Sequence, residues 1–161
     1  MKTIESMSAD SRVWIYQADR KLSDAEVDYI ELNGFQFIEE WSSHGANMDA
    51  SIGVYYNRIL VIAADESQAQ ASGCGIDKSV RFVKELGESL NMDFFQRTQV
   101  LYKDSNEILE KPIHEFWAMR KAGIIQDNTI VLDNTVKTVG DLLSSWEVPF
   151  KKSWHAEMWG R

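Results

Sequence analysis

The chain has 161 residues, of which 44% are hydrophobic and 26% charged, enough to bury one medium-sized core with or without a small attached unit. A formal net charge of −8, with Lys and Arg never running longer than two, argues against nucleic acid and anionic membrane surfaces as main partners. The single Cys74 leaves no intrachain disulfide and no cysteine-based zinc site; no apolar run approaches membrane length and residues 1–10 lack a signal-peptide core, so a cytoplasmic protein is expected.

Residues 1–10 read as a flexible tail. From Arg12 to Ala18, β-branched and aromatic residues predict a strand. Ser23 followed three residues later by Glu26 is a capping box, and Val27, Ile30, Gly34, Phe37, Ile38 and Trp41 recur at helical spacing behind it. Two further strands, 50–56 and 58–64, are joined tightly around Asn57 as a hairpin. A small-residue loop then leads to a helix with Ile76, Val80, Val83, Leu86 and Leu90 on one face, and 98–102 is a fourth strand.

That order predicts an α+β fold of the ferredoxin-like, split βαβ kind over residues 11–104: a four-stranded antiparallel sheet with two helices on one face. Residues 105–161 read as a packed C-terminal β-α-β appendage. It has a short strand at Ile108 and Leu109, a helix opened by Pro112 and closed before Gly123, a strand at 129–132, a helical stretch at 139–146 and an extended aromatic tail over 149–154. Its last aromatics, Trp154 and Trp159 with Met158, act either as a clasp on the body or as an exposed contact patch, the clasp being slightly preferred.

The richest stretch for chemistry is Asp65 to Ser79, where an apolar strand breaks into small residues before a helix. Ser72, Gly73, Gly75, Lys78 and Ser79 form a candidate anion site, because backbone N–H groups at a helix start attract negative charge. The plainer alternative is that Ser72 or Asp77 only caps the helix. Cys74 at the same place is a candidate nucleophile, with His44 or His155 as base and Asp65 or Glu66 as orienting group. Asp65 and Glu66, as extended neighbours, point to opposite sides and are not expected to serve one site. His44, His114, His155, Asp65, Glu66 and Asp77 are ligand types without metal-site spacing, so neither metal nor cofactor is expected.

The segments 13–17, His44 with Gly45, Asp65 to Ser67, Ala71 to Ser79, Trp146 to Pro149 and Ser153 to His155 resemble a family of small bacterial proteins usually labelled "ABC transporter ATPase". The resemblance covers nearly the whole length from Arg12. ATP hydrolysis, which that label implies, is not expected here. Lys78 and Ser79 match the end of a phosphate-binding loop, but its two glycine positions hold Ser72 and Asp77, and a carboxylate beside the lysine repels phosphate. Residues 115–117, 122–125 and 129–131 also resemble GYF-like bacterial domains, which tend to serve protein interaction, although Lys111-Pro112 stands where glycine-proline is usual. The expected function is a non-catalytic domain that binds a small anion or a protein, a second copy of the chain included. The alternative is a thiol-dependent enzyme built on Cys74.

Overall fold

Local signals set the first helix and the first hairpin. In the computed structural model, which describes residues 2–44, 49–67 and 73–160 and only the backbone at 43, 44, 73 and 74, the capping box closes as its sequence requires. The Glu26 N–H donates to Ser23 Oγ at 3.1 Å and the Ser23 N–H donates to Glu26 Oε1 at 2.9 Å. Arg20 grips the same carboxylate with both guanidinium nitrogens, and together with the Ser23 N–H holds it well below the usual carboxylate range.

The fold is α+β, with antiparallel sheets and helices. The chain divides into two units, Met1–Gln96 with Lys137–Gly140, and Arg97–Val136 with Asp141–Arg161. This boundary differs from the break after residue 104 read from the sequence.

The first unit holds β1 (Arg12–Gln17), α1 (Asp24–His44), β2 (Asp49–Tyr55), β3 (Ile59–Asp65) and α2 (Gly73–Leu90). Its sheet has the order β1-β3-β2, all antiparallel. The hairpin between β2 and β3 turns through Tyr56 and Asn57, both at positive φ, with the Arg58 N–H donating to the Tyr55 carbonyl. Leu60, Ile62 and Ala64 of β3 share one core with Ile30, Ile38 and Trp41 of α1 and Val83 and Leu86 of α2, so both helices cover the same face. Ile59, Val61 and Ala63 are buried as well, which suits an apolar central strand.

Two expectations for this unit need correction. The fourth strand of a ferredoxin-like sheet is not part of it. Apart from its pairing with β3, β1 makes only isolated bridges among the described residues, Gln17 to Phe95 and Arg12 to Thr138. The segment read as that strand pairs instead within the second unit. Nor do residues 2–10 trail as a tail. Ile4 and Met7 are buried, Ser51 Oγ donates to the Lys2 carbonyl, and the Tyr55 hydroxyl donates to Glu5 Oε1 at 2.5 Å. The N-terminal segment thereby packs along β2, one of the sheet's two edge strands, which limits that strand's use as a pairing template.

Helix α2 ends in a Schellman cap. Asn91 sits at φ 54, its N–H donates to the Glu88 carbonyl, and the Met92 N–H donates to the Gly87 carbonyl. The returning chain comes so near that a Cβ on Gly87 would lie 2.6 Å from the Met92 carbonyl oxygen. Gly87→Ala is therefore expected to lower stability by roughly 1–3 kcal/mol through crowding, although alanine is the better helix former by about 1 kcal/mol. A higher thermal midpoint in the variant would contradict that close approach.

In the second unit, β4 (Gln99–Asp104) and β5 (Glu107–Pro112) form a tight hairpin through Ser105 and Asn106, both at positive φ. It is followed by α3 (Ile113–Lys121), β6 (Ile130–Leu132), α4 (Val139–Ser145, which begins in the first unit), β7 (Glu147–Pro149) and α5 (Trp154–Trp159). The sheet order is β5-β4-β6-β7. A four-stranded antiparallel sheet thus exists, but here, and it replaces the β-α-β appendage expected from sequence. The reason is local: β4 meets β5 across a two-residue turn with six paired positions, a contact of low loop-closure cost. The tail over 149–154 is not extended throughout, since Phe150–Lys152 forms a 3-10 turn and α5 follows. Phe116, Phe150, Val131, Val148 and Ile125 make this unit's core.

Candidate functional site

The start of α2 is tied into the first unit by its own polar groups. The Trp41 indole N–H donates to the Gly75 carbonyl at 3.1 Å. Ser79 is buried, and its hydroxyl donates to the Ile76 carbonyl at 2.7 Å beside Tyr16. Burial pushes the Tyr16 phenol up, with Ser79 opposing. Lys78 and Asp77 are exposed. Among the anion-site candidates, Lys78 thus faces solvent, Ser79 turns inward, and Gly75 gives its carbonyl to a core tryptophan. Ser72 and the side chain of Cys74 lie outside the described residues, as does that of His44; Gly73 is described as the first residue of α2.

The acids before the loop separate as the extended backbone requires. Asp65 Oδ1 accepts the Ser67 N–H at 2.9 Å, and the backbone and side chain of Ser67 hold that carboxyl below its ordinary value. Glu66 pairs with Arg12 at 3.3 Å, and the Arg12 guanidinium lies 4.6 Å from the centre of the Trp14 ring. Each acid has its own partner, so the two do not form a paired-carboxylate site.

His155 belongs to the core of the second unit. It is 2% exposed, its ring stacks on Trp154 with centroids 4.0 Å apart, and Phe116 lies at 5.6 Å. Ser153 Oγ donates to the Phe150 carbonyl at 2.7 Å, so its contact with His155 Nδ1 at 3.2 Å is best satisfied by a proton on Nδ1. Burial pushes the imidazole down to about 4 against an opposing pull from Asp133. His114 is exposed on α3. Among the described residues, no three His, Cys, Asp or Glu side chains converge in a way that could hold a metal ion. None of the described helices is long and apolar enough to cross a membrane.

One residue had no signal beyond a turn-rich triplet. Asp133 is buried, accepts from the Thr135 N–H and hydroxyl with one oxygen, and with the other accepts the Trp154 N–H at 3.0 Å. It fixes the entrance of α5, where Ser153 Oγ accepts the Ala156 N–H as the N-cap.

No family model, curated protein or solved structure matches the chain. The assignment of function therefore rests on surfaces and chemistry. The C-terminal aromatics divide the two roles expected of them. Trp154 is half-buried and stacks on the buried His155, as a clasp would, while Met158 is 52% exposed and Trp159 41% exposed. Trp159 leans on Trp117, ring centroids 5.4 Å apart, so its ring is held against α3 while part of it meets water.

Proposed function

We propose that this protein is a cytoplasmic, non-catalytic binding protein that engages a protein partner through Met158 and Trp159, with Trp117 beneath them. The observation that carries this reading is a large aromatic side chain positioned by a second aromatic and left partly in solvent. Such a group gives a partner apolar area to cover, and its position costs little further ordering. The resemblance of 115–131 to GYF-like interaction domains points the same way. Anion binding at 72–79 is less well supported, because the Ser79 hydroxyl and the Gly75 carbonyl are engaged internally. The thiol-enzyme alternative loses support for His155 as its base, since that ring is 2% exposed and packed against Phe116 and Trp154.

The test is affinity capture of partners from the cells that make the protein. With Trp159→Ser and Met158→Ser combined, the proteins retained by the wild-type chain are expected to fall at least about tenfold, the loss of roughly 1.4 kcal/mol or more that a hot spot carries. Unchanged capture overturns the reading. ATP turnover that is abolished by Lys78→Ala would reverse it in favour of the family label.

A further inference from the structure

Helix α1 carries a surface that the proposed function does not use. Its inward residues Ile30, Gly34, Ile38 and Trp41 are buried, and a Cβ on Gly34 would lie 2.9 Å from Ile52, so this face is fully committed to β2 and the core. On the outward face three large apolar side chains remain in water: Tyr29 at 40%, Leu32 at 65% and Phe35 at 39% exposure. At 100° per residue Leu32 is at the middle of that face, with Tyr29 one turn before and Phe35 one turn after. Phe35 and Ile38 also line a cavity of about 400 Å³ whose rim carries Glu39 and Asp49.

The charges that α1 itself carries around this strip have one sign. Asp28 lies one turn before Leu32, Glu39 two turns after, and Asp24, Glu31 and Glu40 are exposed along the same helix, which has no Lys or Arg from Asp24 to His44. Lys2, paired with Asp49 at 2.9 Å, is the cation at the cavity rim. An apolar strip of three residues flanked by acids selects its own complement. Two copies of α1 packed face to face would set acid against acid, which disfavours a homodimer through this face. Anionic lipid is repelled for the same reason.

We infer that the outward face of α1 is a docking surface for a basic amphipathic segment of another protein. Such a segment places an apolar side chain over Leu32, between Tyr29 and Phe35, and sets Lys or Arg opposite Asp28 and Glu39. The axial rise from Asp28 to Glu39 is about 16 Å, which fixes the separation of the cationic groups on a helical partner. The apolar strip supplies the contact area, and the acids supply orientation and rate of encounter. This surface belongs to the first unit and the Trp159 patch to the second, and they share no residue, so either can fail without the other.

The test uses a labelled helical peptide with a central leucine and lysines about 16 Å apart, beside a version with glutamate in place of each lysine, titrated against the full chain. The lysine peptide is expected to bind and to weaken as salt rises, and the glutamate peptide not to bind. Leu32→Ser is expected to weaken binding at least tenfold, whereas Trp159→Ser leaves it unchanged. Asp28→Lys with Glu39→Lys is expected to exchange the preference, and that gain for the glutamate peptide serves as its own control for folding. Equal binding of both peptides, indifference to Leu32→Ser, or no exchange in the double variant would overturn the inference. It would also be overturned by concentration-dependent dimerisation abolished by Leu32→Ser, or by attachment to phosphatidylserine vesicles.

Discussion

Phe116→Ala is expected to remove about 3–5 kcal/mol of stability, the cost of emptying a fully enclosed aromatic site. Phe116 has no exposure and lies at the crossing of the second unit's aromatic contacts. Its ring centroid is 5.5 Å from Trp117, 5.6 Å from His155, 6.0 Å from Phe150 and 6.2 Å from Tyr102. Those neighbours come from β4, α3, α5 and the 3-10 turn, so no single element can move in to fill the space. Urea denaturation should show the loss as a lower midpoint. Leu143→Ala, at a side chain 60% exposed, serves as the control and should stay within about 0.5 kcal/mol of wild type. A loss below about 1 kcal/mol at Phe116 would mean that its surroundings collapse freely, contrary to the packing of this core.

Stability is expected to fall as pH drops from 6.5 towards 4, by an amount that depends on His155. In the folded protein its imidazole is held at about 4 by burial, with Asp133 opposing, while in the unfolded chain it titrates near its ordinary 6.5. Between those values the unfolded state binds the extra proton, so stability rises with pH across the window. The neutral ring's contribution is complete above pH 6.5 and is lost progressively down to about 4. The full depression corresponds to roughly 3 kcal/mol at 1.36 kcal/mol per pKa unit. Carboxylates titrate in the same range, so the comparison that matters is the slope of wild type minus that of His155→Gln. A difference near zero would show that the imidazole takes up its proton as readily in the folded protein as in the unfolded chain.

The elements written in short-range chemistry were legible in the sequence. Ser23 and Glu26 specified a cap that closes reciprocally. The helical spacing from Val27 to Trp41 named residues that are buried or half-buried in α1. The turn at Asn57 marked the hairpin of β2 and β3. Pairing between distant segments was not legible, because a strand's pattern says that it pairs but not with what. Residues 99–104 fitted a fourth strand of the first sheet as well as they fitted the hairpin. Ser105 and Asn106 gave a weaker turn signal than an Asn-Gly pair would, and β5 lacks clean alternation.

The candidate site was legible in part for the same reason. The sequence identified the residue types near 72–79, but the inward hydrogen bond of Ser79 and the Trp41–Gly75 contact depend on packing. It named Trp154, Met158 and Trp159 as a group. Only tertiary structure separates the half-buried Trp154, stacked on His155, from the exposed Met158 and Trp159. The apolar strip on α1 has a related origin: Tyr29, Leu32 and Phe35 fall among so many other apolar residues that their outward direction emerges only once the inward face is known.

The most direct measurement places a photoreactive amino acid at Trp159 and irradiates the cells that naturally produce the protein. For a protein that works by contact through this side chain, discrete cross-linked species of higher mass are expected from position 159. None is expected from the same group at Asn128, exposed elsewhere in the second unit. No cross-link at 159, or the same set of products from both positions, would contradict a partner surface there.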